Sequence, residues 1–152
     1  MIQLLAHLWG DYLLQSQWMA DNKTKQHGAA FVHALIYSLL FVPFCFQWEW
    51  PYWLRHSEVP YDVGFHFRWL AWVVIFGTHF LVDRYRLARY VIFAKNLMAP
   101  QGERYPRIRD EWDDCKSTGY APSLPPWLAV WLLIIADNTL HLTINYLALR
   151  YL

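Results

Sequence analysis

Residues 29–48 read AAFVHALIYSLLFVPFCFQW, twenty positions without a formal charge. At 1.5 Å per residue a helix of that length covers about 30 Å, the thickness of the hydrocarbon layer of a bilayer. Residues 127–149, WLAVWLLIIADNTLHLTINYLAL, repeat the length with a single carboxylate. A third run, 69–82 (WLAWVVIFGTHFLV), is short alone but extends back to Phe65 and forward into an arginine-bearing stretch. The N-terminal run, 2–20, carries His7, Asp11 and Gln15 and lacks a basic leading region, so it does not read as a signal peptide. The expectation is an all-α polytopic membrane protein. It forms one domain over residues 1–152, a four-transmembrane-helix bundle with helices near 2–20, 29–48, 66–97 and 127–149 and a cytoplasmic loop at 98–126.

Composition agrees. The chain is 57% hydrophobic and 16% charged, against roughly 45–50% and about 25% for soluble domains. A formal charge of +1 gives no basic field for nucleic acid. Cys45 and Cys115 are far apart and lack CxxC spacing, so neither a disulfide framework nor a cysteine zinc site follows. Residues 49–66 mix Trp50, Pro51, Tyr52 and Trp53, the chemistry of a membrane–water interface. Ten of the thirteen Lys and Arg fall in 21–28 or 84–116; only Arg55, Arg68 and Arg150 lie elsewhere. The positive-inside rule then places loops 21–28 and 98–126 in the cytoplasm of a bacterial inner membrane and both termini outside.

The polar residues inside these runs are patterned. His7 and Asp11, Asp11 and Gln15, His33 and Tyr37, His79 and Asp83, Asp137 and His141, and His141 and Asn145 are each four residues apart. That spacing stacks side chains on one helix face. A single such pair is ordinary for a hydrogen-bonded core. A set of them in apolar surroundings is costly unless the stripes meet, because a charge at mid-bilayer costs roughly 2.5–3.5 kcal/mol on insertion scales. Imidazole and carboxylate together suit zinc, manganese or iron, and helix bundles build such centres from facing side chains. His7, Asp11, His33, His79 and Asp83 are the candidate ligands for one or two ions. Asp137 and His141 complete the shell or act as general base, and Gln15, Lys23, Tyr37 and Asn145 are candidates to orient ligands or substrate.

The N-terminal third is similar to a family of small bacterial and phage membrane proteins with the pattern H-x3-D-[FY]-x2-Q-x2-W-x-A-x2-K and a histidine in the next helix. Here the pattern is carried by His7, Asp11, Tyr12, Gln15, Trp18, Ala20, Lys23 and His33, with His79 and Asp83 following. Members carry the label of membrane-bound metal-dependent hydrolases, so the resemblance implies a polytopic protein and a metal site. It supplies no substrate.

Three functions fit these residues. The leading one is a metal-dependent hydrolase acting on a lipid-borne or amphipathic substrate, phosphorylated in one version. The second is an oligomeric transporter or channel for protons, metal ions or a small solute. The third is a non-catalytic membrane interaction protein. The expected partners are membrane lipid and, for the transporter, further copies of the chain.

Overall fold

The computed structural model describes residues 2–48, 65–96, 98 and 112–152. The interface reading of Trp50 to Trp53 and the basic positions Arg104, Arg107 and Arg109 lie outside the described residues.

The N-terminal segment forms α1 (Ile2–Leu8), a π-helical turn (Trp9–Leu13) and α2 (Gln17–Asn22). Then follow α3 (His27–Leu39), α4 (Val42–Cys45), β1 (Phe46–Trp48), β2 (Phe65–Phe67), α5 (Trp69–Tyr85), α6 (Leu87–Asn96), α7 (Trp112–Cys115) and α8 (Pro126–Tyr151). The two short strands pair antiparallel, Gln47 opposite His66. Helix α5 packs between α3 and α8, and α1 lies along α8.

The expected four-span bundle is not what forms. Among the described residues only α8, with 26 residues and a mean hydropathy of 1.5, is long and apolar enough to cross a membrane. Each of the other three runs is interrupted for a local reason.

In the first run, Gly10 sits against the ring of Tyr37. A Cβ there would lie 2.5 Å from a ring carbon, and the helix widens into a π-turn at this point. Such turns are rare and concentrate at functional sites. Ser16 then starts α2, its Oγ accepting from the Met19 amide at 3.3 Å. The second run ends because Pro43, at the start of α4, supplies no amide to continue a helical ladder from α3. The third ends at Arg86, whose φ of 52° is left-handed and whose amide caps the Val82 and Asp83 carbonyls.

Polarity is distributed inside out. His7, His33, His79, His141 and Asn145 are fully or almost fully buried, while Leu5, Phe31, Val73, Val130, Trp131 and Ile135 are exposed. A small apolar core of Tyr37, Phe41, Cys45, Ala71 and Ile75 closes one end beneath the polar cluster. At that end Arg68 donates to the Leu149 carbonyl at 2.6 Å and Trp72 to the Ser38 carbonyl at 3.1 Å. At the other end Arg84 donates to the Thr24 carbonyl, Arg86 to that of Ser117 and Arg89 to that of Lys116. The two ends therefore differ sharply in basic side chains.

Candidate metal centre

Helix α5 is regular through residue 85, so His79 and Asp83 project from one face one turn apart. His33 comes from the facing side of α3. Asp11 comes from the π-turn, which aims its carboxylate at both.

The four side chains bring four ligand atoms together. Asp11 Oδ1 lies 3.4 Å from His33 Nε2 and 3.3 Å from His79 Nε2. The two Nε2 atoms are 3.1 Å apart. Asp83 Oδ2 lies 3.0 Å from His33 Nε2 and 3.4 Å from His79 Nε2. All four atoms belong to buried residues and lie within 4.8 Å of one another.

Hydrogen bonds leave part of this group unpaired. Asp11 Oδ1 is buried and accepts no hydrogen bond despite its two imidazole neighbours. A neutral imidazole nitrogen carries at most one proton, yet each Nε2 faces two carboxylate oxygens and the other Nε2. A tetrahedral zinc site with arms of about 2.0–2.1 Å has ligand–ligand edges of roughly 3.3–3.4 Å. Five of the six edges here measure 3.0–3.4 Å. The donor set and its spacing therefore fit a divalent ion.

A second, shallower group adjoins the first through Asp83. Its Oδ1 is 3.3 Å from His141 Nε2, which is 3.6 Å from Asp137 Oδ2. Asp83, Asp137 and His141 thus form a three-residue group that shares one carboxylate with the first. His141 Nδ1 faces His79 Nδ1 at 3.2 Å.

His7 belongs to neither group. Its Nδ1 is 3.5 Å from Asp11 Oδ2 and 2.8 Å from Tyr37 Oη, and its Nε2 is 3.0 Å from Asn138 Oδ1. Asn145 donates to Tyr37 Oη at 2.6 Å, so the tyrosine hydroxyl is left to donate to His7 Nδ1. This order of donors puts the His7 proton on Nε2, facing Asn138. The Tyr37 ring also stacks on His79, centroids 3.6 Å apart and planes within 10°. Tyr37 and Asn145, candidates for substrate contact, thus touch the ligands' supporting network. Asn138 was not singled out in the sequence, although it follows Asp137 and lies one turn before His141. A polar residue three before a buried histidine on one helix was the available signal.

Lys23 closes the cluster from the α2–α3 connection. Its Nζ is 2.8 Å from Asp83 Oδ2 and 3.4 Å from His33 Nε2. Burial disfavours its ammonium, but the adjacent Asp83, with Asp11 and Asp137 further off, overrides this and raises its pKa above the ordinary lysine value. Beside it a cavity of about 210 Å³ opens, lined by Asp11, Gln15, Lys23, Asp83, Arg86 and Asp137 among others. Lys23 therefore borders the candidate centre directly, and Gln15 lines the cavity beside it. His56 lies outside the described residues.

The chain matches a family described as protein of unknown function (DUF3307) over residues 1–101, two thirds of its length, and it belongs to that family. Asp11, His33, His79 and Asp83 all fall within the match, whereas Asp137 and His141 lie beyond it. No curated protein and no solved structure matches the chain.

Proposed function

We propose that this member of the family is a membrane-bound, metal-dependent hydrolase whose ion is held by Asp11, His33, His79 and Asp83. The observation that carries the reading is the convergence of four buried ligand atoms, two imidazole nitrogens and two carboxylate oxygens, within 4.8 Å of one another. A divalent ion held by these four residues would supply Lewis acidity and, on expanding to a fifth position, would lower the pKa of a water bound there.

The chain's own groups fit the remaining tasks. With His79 Nε2 turned to the ion, its proton resides on Nδ1 and is donated to His141 Nδ1. The His141 proton then sits on Nε2, facing Asp83 Oδ1 and Asp137 Oδ2. Ligand orientation by a further hydrogen-bond layer of this kind is common to metal centres. Asp137 is half-buried and faces the cavity, placed to accept a proton from water as general base. Hydrolysis consumes one water: its hydroxyl joins the electrophilic centre and its second proton ends on the leaving oxygen.

The membrane part of the proposal rests on the inside-out polarity. Helix α8 crosses the bilayer and the exposed apolar side chains of the other helices meet lipid. The end holding Lys23, Arg84, Arg86 and Arg89 faces the cytoplasm of a bacterial inner membrane. Gln3 donates to the Leu142 carbonyl, which holds the start of α1 against the later part of α8.

Elemental analysis of the purified protein tests the reading. Zinc, manganese or iron should be present at about one to two equivalents, as tight structural and catalytic sites retain their ions. Asp83→Asn should lower that content and His27→Ala, at an exposed position, should not. A protein that is metal-free and indifferent to chelator and added metal would exclude the hydrolase.

One alternative has an observation of its own. His33, His79, His141 and Asp137 form a continuous chain of contacts from the core to the cavity, as a proton relay would require. A proton or ion conductance in liposomes that persists in Asp83→Asn would favour it.

A further inference from the structure

The cavity beside the candidate centre has a mixed lining: the cations Lys23 and Arg86, the carboxylates Asp11, Asp83 and Asp137, and the apolar Val82, Ala88, Leu133 and Ile134. Three carboxylates against two cations leave one negative charge, and a divalent ion turns that into one positive charge. The loaded cavity therefore suits an anion, and its apolar lining suits hydrocarbon.

Two further observations narrow the ligand. Lys23 has three N–H donors, with Asp83 and His33 beside it; Arg86 has five and one is held by the Ser117 carbonyl at 2.7 Å. Both keep donors for a guest. Arg86 has the left-handed backbone, φ 52°, in which glycine would be unstrained. A charged side chain at such a position points to a use for that side chain.

We propose that this cavity receives the phosphoryl group of a phosphorylated amphiphile, with Lys23 and Arg86 as its anion-binding groups and the apolar lining against its chain. A phosphoryl group offers three oxygens, enough to meet the ammonium, the guanidinium and the positive field of the ion on separate atoms, where a carboxylate offers two. This inference rests on the metal-dependent reading, whose substrate class it names.

The test is calorimetric titration of the full chain in non-ionic detergent, zinc-loaded and zinc-free. The probes are inorganic phosphate, dihexanoyl phosphatidic acid and, as a control, dihexanoyl phosphatidylcholine. The zinc-loaded protein should bind the phosphatidic acid at least tenfold tighter than inorganic phosphate, and both at least tenfold tighter than the zinc-free protein does. Phosphatidylcholine, whose phosphate is shielded by choline, should bind weakest. Arg86→Gly should weaken both phosphates at least tenfold while zinc content holds, because glycine accepts the φ of 52° and only the tie to Ser117 is lost. Arg86→Gln, which retains side-chain bulk, should lose affinity to the same degree.

Unchanged affinity in both variants, or equal binding without zinc, would overturn the proposal. Equal affinity for the two phosphates would overturn the amphiphile and leave soluble phosphate as the guest. A chain that takes up no zinc fails the hydrolase reading and this inference together. A zinc-loaded chain blind to both phosphates fails this inference alone.

Discussion

The same His-x-x-x-Asp spacing occurs twice in this chain and is used differently each time. On α5, His79 and Asp83 both enter the four-atom group, their Nε2 and Oδ2 3.4 Å apart. On α1 and the π-turn that follows it, only Asp11 enters. His7 stands behind it, engaged by Tyr37 and Asn138. The difference lies in the helix. A regular α-helix delivers both side chains to one face, whereas the π-turn around Gly10 advances the aspartate and leaves the histidine against α8. Spacing nominates a pair; the local helix type assigns the roles.

The largest expected effect contrasts the two histidines. His79→Ala should lower metal affinity by at least about 100-fold, because it removes a ligand atom from the group, while His7→Ala should cost roughly tenfold, the lower end for a supporting hydrogen bond. Competition with a chromogenic chelator reads both. Equal losses would erase the distinction drawn here.

Acid should release the ion from the first group, since protons compete for imidazole and carboxylate ligands and metal is held only by their deprotonated forms. Retention after dialysis should fall from pH 8 to pH 5 and should fall at higher pH in His7→Ala, where Tyr37, stacked on His79, loses the acceptor of its hydroxyl. A retention curve identical in the variant would make His7 irrelevant to the site.

The π-turn itself can be probed. Gly10→Ala places a methyl 2.5 Å from the Tyr37 ring, and overpacking of this kind costs about 1–3 kcal/mol. A lowered melting temperature together with weaker metal binding is expected, since Tyr37 also stacks on His79. Stability lost with metal affinity intact would separate the turn from the centre.

Ser16→Ala is the mildest. It removes the N-cap of α2 and should cost about 1 kcal/mol, as such caps do. Metal content should be unchanged, because α2 contributes no ligand.

Residue type and four-residue spacing were enough to nominate Asp11, His33, His79 and Asp83 together, because imidazoles and carboxylates in apolar runs have few other reasons to be there. Helix α8 was equally legible: an uninterrupted apolar run needs no tertiary contact to be recognised. The interruptions were not. The close approach of Tyr37 to Gly10 joins residues far apart in sequence, and the left-handed Arg86 defies the preference for glycine at that position. Pro43 was visible, but its effect was hidden by the uncharged residues around it. Composition reports what a segment can be buried in and says little about where its backbone turns. The division of labour between His7 and His79 depends on Tyr37 and Asn138, so it too required the structure.

Helix α8 buries His141, Asn145 and Ala148 on one side and exposes Thr139, Thr143 and Leu147 on the other. Successive residues on a helix are rotated by about 100°, so the division between these sides is a matter of angular phase. A single residue inserted just before Asp137 would swing every later side chain past the centre, withdrawing His141 and Asn145 at one stroke. The same insertion beyond Asn145 would leave the phase of the centre untouched. Length is therefore a far more sensitive coordinate of this helix than identity: many of its outward residues can be exchanged, but before Asn145 none can be added.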